Sequence, residues 1–105
     1  MLISAKRQGV SMNGYMMVCT FKEGTVMSDV YDVIAEEQAK AAELQAAGKL
    51  GSIYLATLSR GTVFIEAFAE SVDEAMAVIT SLPMAAWWDI DVFPLSAPGK
   101  PGAAS

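Results

Sequence analysis

The chain contains no histidine and a single cysteine, Cys19. The first absence excludes Ser-His-Asp and Cys-His machinery, His-ligated zinc and an imidazole pH switch. The second excludes a disulfide within the chain, a CxxC redox pair, a Cys-rich zinc site and a Cys-ligated cluster. Bases are scarce as well. Seven Lys and Arg, with Arg7 and Arg60 the arginines, stand against 12 Asp and Glu, for a net charge of −5. That balance cannot track a phosphate backbone, so no nucleic-acid partner is expected. Long apolar runs are missing too: Met16-Met17-Val18-Cys19 typifies the longest, whereas a spanning helix needs about 20 residues. The opening Met1–Gly14 carries a basic pair but not the apolar stretch of a signal peptide. No membrane partner is expected, and a cytoplasmic location is. The glycines are scattered, with no GxGxxG and no P-loop. Chemistry is left to carboxylates, lysines, tyrosines, hydroxyls and the two tryptophans, with no cofactor and no metal expected.

What is present is apolar. Of 105 residues 53% are hydrophobic and 18% charged, and the mean hydropathy is +0.37. This length suits one domain with a real core. Hydrophobicity in excess, without a spanning segment, points to a subunit interface in a homodimer or larger homo-oligomer. Residues 1–95 read as the domain, with 1–12 as an N-terminal arm. Residues 96–105, rich in Pro, Gly, Ala and Ser, bury too little to order themselves and read as a disordered tail.

Periodicity divides the domain. Residues 14–22 read as a strand, broken by Glu23-Gly24. Residues 28–47 read as one helix, with Asp29 and Asp32 near its positive end and Gly48 at C′. Residues 52–59 and 62–69 read as strands joined by a tight hairpin at Arg60-Gly61. Ser71-Val72-Asp73-Glu74 is a capping box opening a helix that Pro83 stops. Residues 87–93 alternate as a last strand ended by Pro94. The order βαββαβ defines an α+β, ferredoxin-like fold with a four-stranded antiparallel sheet. Strand three sets Val63, Ile65 and Ala67 against Phe64, Glu66 and Phe68. Strand two likewise sets Ile53, Leu55 and Thr57 against Tyr54, Ala56 and Leu58. Both faces are apolar and want cover. Helices cover one and a second subunit the other, which makes a dimeric α+β barrel.

Few side chains can carry chemistry. On the first helix Val30, Val33, Ile34, Ala41 and Leu44 form an apolar stripe, and Glu37 falls within it. One reading is an edge carboxylate paired with Lys40. The other is a pocket carboxylate whose pKa burial raises into the range of a general acid or base. Trp87 and Trp88 point to opposite faces, as packing residues or as the wall for a flat ligand. Asp89, alternating with Trp88, faces solvent or lines a cleft by the second helix. Tyr31 and Tyr54 offer hydroxyls or pack half-buried. Glu66 reads as an interface ion-pair member with Arg60 or a lysine. Cys19, on an apolar strand, reads as a buried inert thiol.

Three segments resemble the muconolactone isomerase family of the dimeric α+β barrel superfamily. Leu82-Pro83 through Val92 is similar to its L-P-(x3)-aromatic-x-D-I-x-V segment. Glu37 through Gly48 resembles its E-x(6)-L-Q-x-x-G segment, and Ser71-Val72-Asp73-Glu74-Ala75 its second helix start. The resemblance implies a barrel assembling as dimers and larger rings, and cofactor-free proton transfer on an unsaturated lactone from aromatic-compound catabolism. Glu37 matches the family's helix-one glutamate, the acid/base position. Lys40 or Tyr54 then serves as its electrostatic partner, with Trp87, Trp88 and Asp89 around the ligand. The family's basic, aromatic strand-two segment is replaced by Leu50-Gly51-Ser52-Ile53-Tyr54-Leu55, leaving Lys22 and Lys40 as substitute cations. Two other functions suit the same residues: a cofactor-independent monooxygenase on a quinol-like aromatic, and a non-catalytic small-ligand-binding homo-oligomer.

Overall fold

The computed structural model describes residues 12–96, so all but the last residue of the arm expected over 1–12 and all but the first of the tail expected over 96–105 lie outside the described residues. Strand β1 (Asn13–Phe21) alternates as its sequence demands, with Tyr15, Met17 and Cys19 buried and Met16 and Val18 half-buried. It is a central strand. β3 (Thr62–Ala69) and β4 (Trp88–Leu95) flank it, and β2 (Leu50–Ala56) adds to the far side of β3. The order β2-β3-β1-β4, with every neighbour antiparallel, is the ferredoxin-like sheet.

The long helix expected over residues 28–47 is two helices, α1 (Met27–Tyr31) and α2 (Ile34–Ala46). Val33 leaves helical geometry at φ −108° and ψ 13°. Its N–H bonds to the carbonyl of Val30 at 3.1 Å, three residues back, so the last turn of α1 is wound tight. Val33 and Ile34 are adjacent β-branched residues, poorly suited to a continuing helix. Breaking there lets Val30 reach the interior, 1% exposed, while α2 restarts in a new direction. At the other end of α2, Gly48 takes φ +77°. Lys49 N–H then bonds to the Leu44 carbonyl at 2.9 Å and Gly48 N–H to that of Gln45 at 3.1 Å, the paired bonds of a Schellman motif.

Strand β2 departs from expectation twice. It starts at Leu50 with a bulge: Leu50 lies opposite Ala67 and Ile53 opposite Ile65, so β2 carries one residue more than β3 there. Gly51 sits in the bulge because a Cβ there would run into the carboxylate of Glu66 and against Phe68. Glu66 Oε1 in turn accepts the Ser52 N–H at 3.3 Å. The strand then stops at Ala56, and Thr57–Arg60 form a helical turn, α3, instead of the tail of a tight hairpin. Gly61, at φ +58°, caps that turn, with its N–H on the Thr57 carbonyl at 3.0 Å. The left-handed residue that suggested a hairpin is thus spent on a helix C-terminus, and Thr57 and Leu58 leave the strand alternation.

Helix α4 (Val72–Thr80) opens as the capping box foretold, Ser71 Oγ accepting the Glu74 N–H at 3.1 Å. The Glu74 carboxylate reaches back to the N–H of Glu70, one residue before the cap, at 2.6 Å. After α4 a 3-10 segment, Pro83–Trp87, takes up Trp87, so β4 begins at Trp88 and not at Trp87. β4 also runs past Pro94, which pairs in register with Tyr15. It can do so because β4 is an edge strand, where a missing donor is tolerated.

The core lies between the helices and one sheet face. Met17, Cys19, Ile65 and Ile79 are fully buried there, and a side chain such as Ile79 contributes about 1.5–3 kcal/mol by burial. The opposite sheet face carries Met16, Val18, Phe64 and Phe68, with Tyr54 58% and Phe93 54% exposed at its margins. No helix among the described residues is long and apolar enough to cross a membrane.

Candidate active site

The break between α1 and α2 opens a space. A cavity of about 600 Å³ lies between these helices and the sheet. Ile53, Leu55, Val63 and Ile65 form its floor from β2 and β3, and Phe21 and Trp88 come from β1 and β4. Val30, Tyr31, Ile34, Glu37, Gln38 and Ala41 descend from the helices, and Met84 closes one side. Most of this wall is hydrocarbon. Glu37 is the charged residue in it among the described residues.

Glu37 sits in the first turns of α2, half-buried. Its Oε1 accepts the backbone N–H of Met84 at 2.9 Å, tying the helix to the 3-10 segment. Burial pushes its pKa above the usual carboxylate value, and the Met84 hydrogen bond pulls part of the way back. A carboxyl held in this way can take up and release a proton nearer neutral pH than a solvated one. Below it lies Cys19, fully buried. Burial first, and the charge of Glu37 second, push the thiol up to about 12. Cys19 is therefore protonated and inert as a nucleophile, the reading its strand position suggested.

The pairing of Glu37 with Lys40 does not form. Lys40 Nζ instead lies 3.5 Å from Glu43 Oε2, one helical step further from the cavity. Of Glu37, Lys40, Tyr54, Trp87, Trp88 and Asp89, the six residues expected at the site, Glu37 and Trp88 meet in the cavity wall, and Tyr31, the other hydroxyl candidate, lines it with them. The other four lie elsewhere. Tyr54 neighbours Ile53 in β2 and so points from the opposite sheet face, across from Phe64. Asp89 follows Trp88 in β4 and is likewise exposed on that outer face. Trp87, in the 3-10 segment, is half-buried outside the lining, and Lys40 borders the stripe without entering it. Glu66 is engaged at the β2 bulge, and no base among the described residues of the same chain pairs with it.

Trp88 packs edge-on against Phe21, with ring centroids 6.2 Å apart at 69°. Its indole N–H is buried without an acceptor among the described residues, a cost of about 1–3 kcal/mol. Sequence reasoning missed Met84, whose contribution is a backbone donor and leaves no side-chain signature. It also missed Gln38, Ile34 and Phe21 as wall residues. Ile34 was on the apolar stripe, and its position there was the available signal.

The chain is a ferredoxin-like α+β domain with a largely apolar, acid-bearing cavity between its helices and sheet. The family model for muconolactone delta-isomerase matches residues 15–99. The chain belongs to that family. No curated protein matches it significantly.

Proposed function

We propose that the protein is a cofactor-free isomerase that moves a proton on a small unsaturated lactone or related ring compound, with Glu37 as the acid/base. One observation carries this reading: the single carboxylate among the described residues of a largely apolar cavity wall is half-buried, fixed by the Met84 N–H and raised in pKa. A double-bond shift next to a carbonyl needs a base to take an acidic C–H proton and the same group to return it elsewhere. A carboxyl whose pKa burial has raised is suited to both. Trp88 and Phe21, packed edge to face, put aromatic surface into the wall against which an unsaturated ring can rest.

The test is solvent-proton exchange. An unsaturated γ-lactone incubated with the protein in D₂O should gain deuterium at the carbon that loses and regains its proton, read by NMR. Glu37→Gln should lower that rate about 10²–10⁴-fold. An unchanged rate in the variant leaves Glu37 a structural tether and overturns its role as the base, whereas no exchange above buffer in the parent favours a non-catalytic ligand-binding protein. Oxygen uptake with a hydroquinone favours the monooxygenase instead.

The outer sheet face supports a second element of this reading. Its apolar side chains, Met16, Val18, Phe64, Phe68, Tyr54 and Phe93, fit the face of a second copy better than water. A homodimer or larger homo-oligomer follows, to be measured by light scattering.

A further inference from the structure

The cavity floor runs across the whole sheet. Trp88 of β4, Phe21 of β1, Val63 and Ile65 of β3, and Ile53 and Leu55 of β2 all line it. Neighbouring strands stand about 4.8 Å apart, so three spacings make the floor about 14 Å wide. Glu37 belongs to the β1 and β4 side of this width. Its carboxylate is tied to Met84, just ahead of β4, and its charge reaches Cys19 of β1. The row of paired residues through Cys19 continues to Val63 of β3 and ends at Leu55 of β2. That end lies two strand spacings, about 10 Å, from Cys19. Ile53, Leu55 and Leu58 line it with side chains that are hydrocarbon throughout. Leu55 is 72% and Leu58 102% exposed, so the mouth of the cavity opens on the same side.

A single ring does not use this length. A cavity of about 150 Å³ encloses one benzene-sized ring, and this one holds about 600 Å³. A ring whose proton Glu37 transfers has to lie against the carboxylate, which leaves the β2 end free. We propose that Ile53, Leu55 and Leu58 form a second subsite, which takes an apolar arm carried by the unsaturated ring compound held at Glu37. The placing of the ring rests on the function proposed above, whereas the subsite is read from binding alone. Each methylene moved from water onto such a wall tightens binding about three- to fourfold. The arm therefore decides which of several ring compounds the protein selects, and Glu37 decides what is done to the ring.

Two probes with the same lactone ring and different arms test it, 5-methyl-2(5H)-furanone and 5-butyl-2(5H)-furanone, by isothermal titration of the full chain at neutral pH. The butyl compound should bind about tenfold more tightly than the methyl compound, or better. In the double variant Leu55→Gln, Leu58→Gln that ratio should fall below about threefold. Both side chains are largely exposed, so the exchange spares the core. Equal binding of the two probes by the parent overturns the subsite. So does a butyl preference that survives unchanged in the double variant, because the arm then lies elsewhere. Either result leaves proton transfer standing, to be decided by deuterium exchange. A butyl preference that the double variant loses, with no deuterium exchange in either lactone, supports the subsite and overturns the isomerase reading. Failure of both probes to bind at millimolar concentration overturns the subsite.

Discussion

Replacing Glu37 by Gln should make the protein more stable at neutral pH while removing its activity. The amide keeps the size of the carboxyl and an oxygen for the Met84 N–H, so the tether between α2 and the 3-10 segment survives. A hydrogen bond to a charged group is worth about 1.5–3 kcal/mol and a neutral one about 0.5–1.5, so the exchange costs about 1 kcal/mol. Against this stands the desolvation of the carboxylate, which the upward pKa identifies as the larger effect. Each unit of upward shift corresponds to about 1.4 kcal/mol against the charged form. Solvent reaches part of the group, so screening reduces this effect without reversing it, and the variant is the more stable of the two. Its Tm at neutral pH should therefore lie above that of the parent.

The pH dependence gives the stricter check. The folded state holds the Glu37 proton more tightly than the unfolded chain, whose value is near 4.5. The stability this supplies is fully present below that value and is lost as pH rises through the folded pKa. The variant has no such loss. Thermal unfolding followed by circular dichroism at pH 4.0 and pH 7.5 should show the two proteins closest at the lower pH and the variant ahead at the higher. A variant less stable than the parent at pH 7.5, or a difference that does not change with pH, refutes the assignment of Glu37 as a desolvated carboxyl.

Other expectations follow from particular contacts. Gly51→Ala should lower stability by about 1–3 kcal/mol in urea titrations, because the new methyl meets the Glu66 carboxylate and Phe68. Ser71→Ala should cost about 1 kcal/mol by removing the cap on Glu74 N–H, measured the same way. Cys19 should resist iodoacetamide at pH 8 in the folded protein and react on unfolding, since its pKa near 12 leaves almost no thiolate. Phe64→Asp, in the middle of the outer sheet face, should shift a homo-oligomer toward monomer by light scattering while the cavity residues stay in place.

Much of this fold was readable from pattern because pattern and packing agree. The alternation of Tyr15, Met17 and Cys19, the capping box at Ser71 and the C-terminal Gly48 each have one physical solution, and the structure adopts it. Glu37 was legible in part: its place on the helical stripe allowed either an edge pairing with Lys40 or a place in the cavity, and the structure puts it in the cavity wall. What could not be read were places where two local solutions compete. Gly61 serves a hairpin or a helix cap equally well, and packing of β2 chose the cap. Helical periodicity continues through Asp32-Val33, so only the burial of Val30 reveals the break. The same limit explains the site. Spacing put Lys40 beside Glu37, but Glu43 lies as near to it along the helix and takes the bond. Met84 contributes a main-chain N–H that any residue there would present.

The two margins of the sheet are each spoiled for further pairing. At one, Pro94 interrupts the donor row of β4, and Asp89 and Asp91 flank the strand with charge. At the other, the bulge at Leu50–Ile53 twists β2 and the helical turn Thr57–Arg60 cuts it short. A ribbon that grew by adding strands sideways would find no straight template on either side. So apolar a chain is at risk of fibrous aggregation in principle, yet its geometry steers self-association toward contact through broad surfaces, which closes and stops, and away from edge-on extension, which does not.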